Sequence, residues 1–232
     1  MIINSGKTTN QGIELGVDLD AVKTKDFTWN VGIAFSRIRT VVNELYGDLD
    51  KLYLGGFSGN PAIYAVKGQR YGTIIGAGYM RNAAGKIVVD ADGYPMLDDG
   101  LALGHTEPNW TGGITNTLTY KGLRLSALVD TRQGGHIFSG TSQLMDTYGV
   151  TTRTLDRGTS IVFDGVTEDG AVNDVAAVKD QDWYGWVGGS NAEAHVYKNN
   201  WVKLREVNLS YTFNIKQGIL HAIDLGLYGR NL

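Results

Sequence analysis

Six segments of the chain alternate apolar and polar side chains residue by residue, and this pattern constrains the fold more than any other feature. Successive side chains of a β-strand point to opposite faces, so a period of two places the apolar set on one face. Trp29, Val31 and Ile33, for example, are separated by Asn30 and Gly32. The six segments are Gly12–Thr24, Asp26–Arg37, Thr111–Tyr120, Leu123–Thr131, Val202–Asn214 and Ala222–Asn231.

The length of these segments fits two all-β architectures. Each has roughly 9–12 residues, which is what a tilted strand needs to cross the hydrocarbon layer of a membrane. A β-sandwich uses the same alternation but turns its apolar face into a dry interior. Ile13 and Val17, Trp29, and Leu225 therefore face lipid in a barrel and the core in a sandwich.

The connections between the segments favour the barrel. Short turns are predicted around Lys23–Asp26, Tyr120–Gly122 and Ile215–Leu220, whereas about 65 residues separate Val41 from Asn109 and about 68 separate Gln133 from Asn200. Outer-membrane barrels have short turns at the periplasmic rim and long loops at the extracellular rim. The sequence thus predicts an incomplete antiparallel transmembrane β-barrel segment of about six strands, in three hairpins with two long extracellular loops.

Composition and motifs exclude several classes of function. The chain has 232 residues and no cysteine, and its 21 Lys+Arg nearly balance 24 Asp+Glu, without the clustered basic footprint of a nucleic-acid-binding protein. No HExxH, GxSxG or GxxxxGK[ST] motif is present. The four histidines are isolated from one another. We therefore expect neither an enzyme nor a bound cofactor or metal.

Five stretches of the sequence resemble one family of membrane proteins. NWVKLREVNLSYTF (Asn200–Phe213) and LYGRNL (Leu227–Leu232) are similar to the near-C-terminal barrel strands of the SusC/RagA family of TonB-dependent transporters. VKGQRYGTIIGAGY (Val66–Tyr79), GKIVVDADGYPML (Gly85–Leu97) and PNWTGGITNTLTYKGLRLSALVDTRQGG (Pro108–Gly135) fit the same family in the same order. The resemblance covers nearly the whole chain.

The resemblance implies a function and a set of partners. Members of this family are large outer-membrane barrels of Bacteroidetes-type bacteria that import glycans, or sometimes peptides. A SusD-like surface lipoprotein covers the extracellular mouth, and TonB supplies energy by acting on an internal plug. The whole chain, 1–232, is expected to be part of the C-terminal barrel domain, with the plug domain and signal peptide absent and outer-membrane lipid around the strands. The alternative is a secreted all-β module that binds carbohydrate.

Two groups of site residues are predicted. Charged residues in the strands are expected to face the lumen, because an ionisable group at membrane depth needs water or a partner. They are Glu14, Asp18, Asp20, Arg124, Asp130, Asp224 and Arg230. Aromatic residues of the second long connection could stack on a ligand, or could pack the loop instead. They are Trp183, Tyr184, Trp186 and Tyr197.

Two further clusters allow a functional and a structural interpretation. Asp90, Asp92, Asp98 and Asp99 offer hard oxygen ligands to calcium, but their spacing lacks the pattern of a twelve-residue calcium loop and fits simple turns. Lys203, Arg205 and Glu206 could line the mouth of the lumen or could be solvated charges at a strand end.

Overall fold

The structure, a computed structural model, describes residues 6–56, 60–217 and 219–232. The chain forms two compact units: a sheet unit (residues 10–39, 108–135 and 199–232) and a loop unit (residues up to 9, 40–107 and 136–198). The strands are β1 (Gly6–Lys23), β2 (Phe27–Leu45), β3 (Lys51–Gly56), β4 (Ala62–Val66), β5 (Thr73–Tyr79), β6 (Leu97–His105), β7 (Trp110–Tyr120), β8 (Leu123–Gln133), β9 (His136–Phe138), β10 (Ser160–Val162), β11 (Ala176–Val178), β12 (Val196–Lys198), β13 (Trp201–Gln217) and β14 (Leu220–Arg230).

The sheet unit confirms the predicted architecture. Its six strands lie in the order β1-β2-β7-β8-β13-β14, so each strand is the neighbour of the next strand of this sheet along the chain. Short connections join β1 to β2, β7 to β8 and β13 to β14, and the two long connections join β2 to β7 and β8 to β13. Each strand coincides with one of the six alternating segments, and the observed strands are longer than predicted at several ends. Among the described residues the sheet is antiparallel and does not close into a barrel.

Register carries the alternation from strand to strand. Trp29 lies opposite Leu118, and Leu118 lies opposite Leu125. On the next two strands, Leu209 lies opposite Leu125 and also opposite Leu227. Residues directly opposite each other in an antiparallel pair point to the same face. An apolar row therefore crosses five strands. A shift of the register by one residue would move every side chain of a strand to the opposite face. The alternating sequence therefore fixes the register.

One β-bulge keeps β13 in phase with its neighbours. Lys203 lies opposite Asp130 and Leu204 opposite Val129, but the next pair joins Glu206 to Leu128, so Arg205 is the extra residue. The apolar positions of β13 change parity at this point, since Val202 and Leu204 are even-numbered and Val207 is odd. A bulge absorbs one residue in this way and keeps both halves of the strand on the same apolar face.

Aromatic side chains lie at both ends of the apolar face. At the end with the short turns, Phe27 is opposite Tyr120, and the rings of Tyr211 and Phe213 are 4.6 Å apart. At the other end, the rings of Phe35 and Trp110 are 5.8 Å apart. Trp29 also donates from its indole Nε1 to Asn116 Oδ1 at 3.2 Å, which satisfies a polar group on this face. The distribution matches the two aromatic girdles of a membrane barrel.

The short turns follow local chemistry. The backbone N–H of Thr24 donates to the Phe27 carbonyl at 2.8 Å, which closes the first turn. In the second turn Lys121 has a φ of 52°. A Cβ added to Gly122 would lie 2.7 Å from the Thr212 carbonyl oxygen, so only glycine fits there. The third predicted turn includes residue 218, which lies outside the described residues.

The apolar face of the sheet unit is exposed, which contradicts the sandwich alternative. Ile13 is 67% exposed, Leu225 is 61% exposed and Leu227 is 75% exposed. A sandwich would bury these side chains in its interior. The face is thus available to another apolar phase.

The loop unit is more ordered than the sequence predicted. The first long connection contains an antiparallel sheet in the order β3-β4-β5-β6, and short pairs β10-β11 and β9-β12 lie in the second. Val42, Ile74, Val89 and Ala192 are buried in its core. The helical elements are α1 (Gly140–Thr147), α2 (Gln181–Trp183), a π-helix (Tyr184–Ser190) and two 3-10 turns (Thr152–Thr154 and Glu193–His195).

The two long connections fold together within this unit through a carboxylate. Glu193, in the second connection, accepts hydrogen bonds from Arg81 Nη2 at 2.6 Å and from Arg81 Nη1 at 3.0 Å. Its Oε2 also accepts from the backbone N–H of Tyr79, at the end of β5, at 2.9 Å. A paired carboxylate that also binds the backbone joins the segments more strongly than a solvated ion pair.

A buried histidine organises the helical part. His195 is 1% exposed, and its Nε2 lies 2.7 Å from the Gly188 carbonyl oxygen, so Nε2 donates. Its Nδ1 lies 3.2 Å from Ser142 Oγ in α1 and accepts from that hydroxyl. Burial is the main cause that lowers the pKa of His195. None of the helices among the described residues has the length and apolar character needed to cross a membrane.

We expect Glu193→Ala to open the loop unit locally. The change removes the acceptor of the Arg81 guanidinium and of the Tyr79 N–H, at a cost of about 1–2 kcal/mol, because the pair is partly exposed and therefore partly screened. Hydrogen–deuterium exchange should show faster uptake in β5. Glu168→Ala removes an exposed carboxylate of the same unit and serves as the matched control. Equal uptake in the two variants would contradict the assigned role of Glu193.

We also expect the loop unit to lose local stability as the pH falls. An unfolded histidine takes up a proton near pH 6.5, whereas His195 has a lowered pKa and stays neutral to lower pH. Stability is therefore complete above about pH 6.5, declines as pH falls from there to the folded pKa, and then levels off.

The measurement is hydrogen–deuterium exchange in α1 and in residues 184–190 between pH 7.5 and pH 5, corrected for the intrinsic exchange rate. His195→Gln should remove most of the pH dependence, and His221→Gln, at an exposed position, should not. A pH dependence unchanged by His195→Gln would show that another group controls it.

Candidate functional site

The sheet unit places all seven predicted lumen residues on its polar face. Asp130 lies opposite Gly113 and Lys203, and Arg124 lies opposite Thr119 and Ser210. The same ladder continues to β14, with Thr212 opposite Asp224 and Glu206 opposite Arg230. Glu14 and Asp20 of β1 accept hydrogen bonds from Ser36 and Asn30 of β2 on the same face, and Asp18 Oδ1 lies 3.1 Å from where a Cβ on Gly32 would be.

Most of these charged side chains form a hydrogen bond or an ion pair with a neighbour on the sheet. Asp20 accepts from the Asn30 amide at 3.3 Å and forms an ion pair with Lys23 at 3.3 Å. Asp224 Oδ1 accepts from Thr212 Oγ1 at 2.5 Å. Arg230 lies 3.9 Å from Glu206 and over the Tyr228 ring. The face therefore carries oriented charges of both signs.

The strongest charge pair on this face joins Asp130 to the bulged residue. Arg205 donates from Nε at 2.9 Å and from Nη2 at 2.7 Å to Asp130 Oδ2, and from Nη1 to Asn231 Oδ1 at 3.2 Å. The guanidinium also lies 5.4 Å from the Trp201 ring centroid. Arg205 is thus a fixed group at the end of the sheet next to the long connections, rather than a freely solvated charge.

The loop unit gives the four predicted aromatic residues different environments. Trp183 is only 4% exposed and packs against Tyr94 and Phe163, with ring centroids 5.3 Å and 6.1 Å away. It belongs to the core and presents almost no surface to a ligand. Trp186 is 42% exposed, and its indole Nε1 donates to the Pro95 carbonyl at 2.8 Å, which fixes the ring.

The two predicted tyrosines use their hydroxyls inside the unit. Tyr184 donates to Asp156 Oδ1 at 2.8 Å, and burial together with this carboxylate raises the pKa of Tyr184 to about 12. Tyr197 lies 3.0 Å from Ser142 Oγ and accepts from Arg153 Nη1 at 3.4 Å. Tyr184 lines a cavity of about 470 Å³ and Trp186 a cavity of about 570 Å³.

The four aspartates considered as calcium ligands, Asp90, Asp92, Asp98 and Asp99, lie in a turn and at the start of a strand. Asp90 Oδ1 accepts from the backbone N–H of Asp92 at 3.0 Å and of Tyr94 at 2.9 Å, as an Asx turn does. Asp98 and Asp99 lie within β6. Within the described ranges, no group of three or more His, Asp or Glu side chains is placed to hold a metal ion.

Sequence reasoning missed two parts of this arrangement. The Arg205–Asp130 pair was not predicted, although the apolar positions change from even to odd numbers between Leu204 and Val207, and this change is a sequence signal for the bulge. The residues that line the larger cavity with Trp186 come from segments about 90 residues apart, including Asp90 and Asp182. No spacing rule joins residues so distant in the sequence.

Comparisons with known proteins support the family resemblance. No profile of a known protein family matches the chain. The chain is similar over its whole length, at 24% identity, to TonB-dependent receptor P3 of Formosa agariphila, of which it spans 24%.

Solved structures of the RagAB peptide transporter have a similar fold. One has a TM-score of 0.65 at 19% identity, covering 98% of this chain and 26% of that chain. The RagAB peptide importer in its closed-closed and open-open states gives TM-scores of 0.65 and 0.64 at 18% and 17% identity, over 98% of this chain and 26% and 25% of those chains. The chain thus spans about a quarter of the length of the proteins it matches.

The resemblance inferred from the sequence is confirmed as a similarity: the chain is similar over its whole length to a TonB-dependent receptor, and its fold is similar to that of about a quarter of the RagAB transporter chain.

Proposed function

We propose that this chain forms part of the wall and loops of an outer-membrane, TonB-dependent importer of oligomeric nutrients. The cargo is a glycan or a peptide, and a SusD-like surface lipoprotein is the partner at the extracellular mouth. TonB acts on a plug domain in the complete protein. The chain has a binding and conducting role and carries out no catalysis.

The observation that carries this proposal is the exposed apolar face of the sheet unit. From Phe27 to Phe35 the face extends over nine residues, and the eight steps between them span about 26 Å along a strand at about 3.3 Å per residue. With a tilt of about 40°, that length covers about 20 Å of membrane thickness, close to the apolar band of outer-membrane barrels at about 25 Å. A water-soluble protein rarely exposes a continuous apolar surface of this extent.

The polar face supports a water-filled interior. Glu14, Asp130 and Arg230 lie on one face of the sheet, and exposing them to lipid would be costly. The same sheet has apolar residues on its other face, so only one orientation keeps the charges in water. The polar face then lines the lumen.

The edges of the sheet support a larger assembly in the complete protein. In the part of the chain that the structure describes, β1 and β14 are the two edge strands. An edge strand has unpaired backbone N–H and C=O groups, which a bilayer cannot satisfy. In the complete barrel, each of these strands would pair with another strand.

The relatives suggest what the complete protein transports. One relative is named a TonB-dependent receptor, and the solved structures are of a peptide transporter. The structural similarity extends through the loop unit, because the match covers 98% of this chain. We therefore place the first contacts with cargo and with the lipoprotein on the loop unit.

A cysteine-labelling experiment tests the two faces, because these 232 residues contain no cysteine of their own and the complete protein without an introduced cysteine gives the background. We expect Glu14→Cys and Asp224→Cys, in outer membranes of cells that make the complete protein, to react with a charged, water-soluble thiol reagent. The adjacent variants Ile13→Cys and Leu225→Cys should react at least tenfold more slowly, because their thiols lie in lipid. Tyr148→Cys, in the loop unit, should react on intact cells.

The paired design makes each variant the control for its neighbour. Equal labelling of Ile13→Cys and Glu14→Cys would contradict a transmembrane sheet with one face in lipid. Recovery of the complete protein in the soluble fraction would contradict the proposed location as well.

A further inference from the structure

The loop unit contains an open cavity whose lining combines carboxylates with aromatic rings. It has a volume of about 570 Å³, and its lining includes Asp90, Asp182, Tyr94, Tyr148, Trp186 and Gln181. We call it the acidic pocket. Both long connections contribute to it, and all of its lining residues belong to the loop unit. Its size lies within the range of ligand-binding pockets, about 300–1,000 Å³.

The charge on the pocket wall is negative. Asp90 and Asp182 line it, and no Lys or Arg is among the described residues of the lining. Asp180 lies just outside, 3.5 Å from the Tyr94 hydroxyl. Burial, followed by Asp180, Asp182 and Asp90, raises the pKa of Tyr94, as expected where several carboxylates converge. A cation would be attracted to this position.

Asp182, an exposed residue, gives the acidic pocket a carboxylate with no basic partner among the described residues. In the described part of the chain, Asp182 has neither a hydrogen bond nor an ion pair to a basic side chain. The adjoining cavity of about 470 Å³ is lined by Arg157 and Lys179, but these cations are already used. Lys179 forms an ion pair with Asp156, and Arg157 donates to the Gly149 carbonyl at 2.6 Å. The acidic pocket therefore has charge left for a ligand.

The aromatic side chains supply faces for the same ligand. The hydrogen bond from Trp186 to Pro95 holds the indole in place while 42% of the residue is exposed. Tyr148 is 75% exposed at the rim. An indole or phenol face attracts an ammonium or guanidinium group within about 6 Å, and the attraction grows when the cation is desolvated. Lys and Arg also have apolar stems that pack on such rings while the charge stays with a carboxylate.

We propose that the acidic pocket binds the Lys or Arg side chain of a peptide cargo, with the aliphatic stem against Trp186 and Tyr148 and the cationic group at Asp90 and Asp182. This inference rests on the proposed import function and names one class of cargo for it. A peptide side chain fits better than an amino sugar, because its long stem separates the charge from the backbone and lets both reach their partners. The amine of a sugar is attached directly to the ring.

Binding to the complete protein, purified in detergent, tests the proposal without requiring TonB or transport. The probes are acetyl-Ala-Lys-Ala-amide, its Gln and Glu counterparts, and a glucosamine trimer, measured by isothermal titration calorimetry. The blocked peptide ends remove terminal charges, so the probes differ at one side chain. We expect the Lys peptide to bind at least fivefold more tightly than the Gln peptide, and the Glu peptide to bind most weakly.

The variants remove charge without removing the turn. Asn at position 90 can still accept from the backbone N–H groups of residues 92 and 94, so Asp90→Asn preserves the Asx turn. The double variant Asp90→Asn, Asp182→Asn should raise the Kd for the Lys peptide about tenfold and equalise it with that for the Gln peptide. Asp92→Asn is the matched control, because Asp92 is exposed in the same turn and does not line the pocket; it should leave the Kd unchanged within twofold.

Several results would overturn the inference. Equal affinity for the Lys and Gln peptides in the natural protein would do so, as would an equal loss in Asp92→Asn. Tighter binding of the glucosamine trimer than of the Lys peptide would assign the pocket to amino sugars. If circular dichroism shows that the double variant is unfolded, Asp182→Asn alone replaces it. The salt dependence of the natural protein is then measured as well, and an affinity for the Lys peptide that is constant between 50 and 500 mM salt contradicts the proposal. If the Lys peptide does not bind as expected but the cysteine labelling distinguishes the two faces of the sheet, the proposal for the acidic pocket is wrong and the proposed import function is unaffected.

Discussion

Every feature of the sheet unit depends on the pairing of backbone groups between neighbouring strands while the two faces keep opposite polarity. Antiparallel pairing fixes which residues lie opposite each other, and the period of two fixes which face they share. An apolar residue out of phase would put hydrocarbon on the polar face and a charge on the apolar face of the same strand. The row from Trp29 to Leu227 shows that the phase holds across five strands.

The bulge at Arg205 shows how strictly this condition applies. Without an extra residue, Val202 and Leu204 would fall on the polar face once Val207 and Leu209 were placed on the apolar one. The bulge corrects the phase, and the extra side chain is used as an anchor on Asp130. A bulge near a rim also increases the local twist of the strand. One residue therefore maintains the register and places a guanidinium beside Trp201 and Asn231.

The sheet could be predicted from the sequence because its determinants are local. Alternation within Asp26–Arg37 identifies a strand without reference to any other segment, and the turn at Lys121 and Gly122 identifies the hairpin. The loop unit could not be predicted in this way, because its core joins residues from two segments separated by the whole of β7 and β8. Glu193 forms an ion pair with Arg81, and Trp183 packs against Tyr94. No periodicity in the sequence detects contacts between residues this far apart in the chain. Aromatic composition alone therefore left Trp183 open between ligand contact and loop packing, and the structure places it in the core.

Among the described residues, an unpaired carboxylate and a fixed aromatic ring together make one cavity of the loop unit suited to a cationic ligand. Several carboxylates of the loop unit already have a basic partner: Glu193 pairs with Arg81, Asp146 with Arg153 and Asp156 with Lys179. Such pairs stabilise the unit and offer little to an incoming charge, because the ligand would have to displace a neighbour that is already well placed. Asp182 has no such partner among the described residues, and it lies beside an exposed indole that a hydrogen bond holds in place. A binding surface needs charge that folding has not used, and in the loop unit that condition and a fixed aromatic face occur together at the acidic pocket.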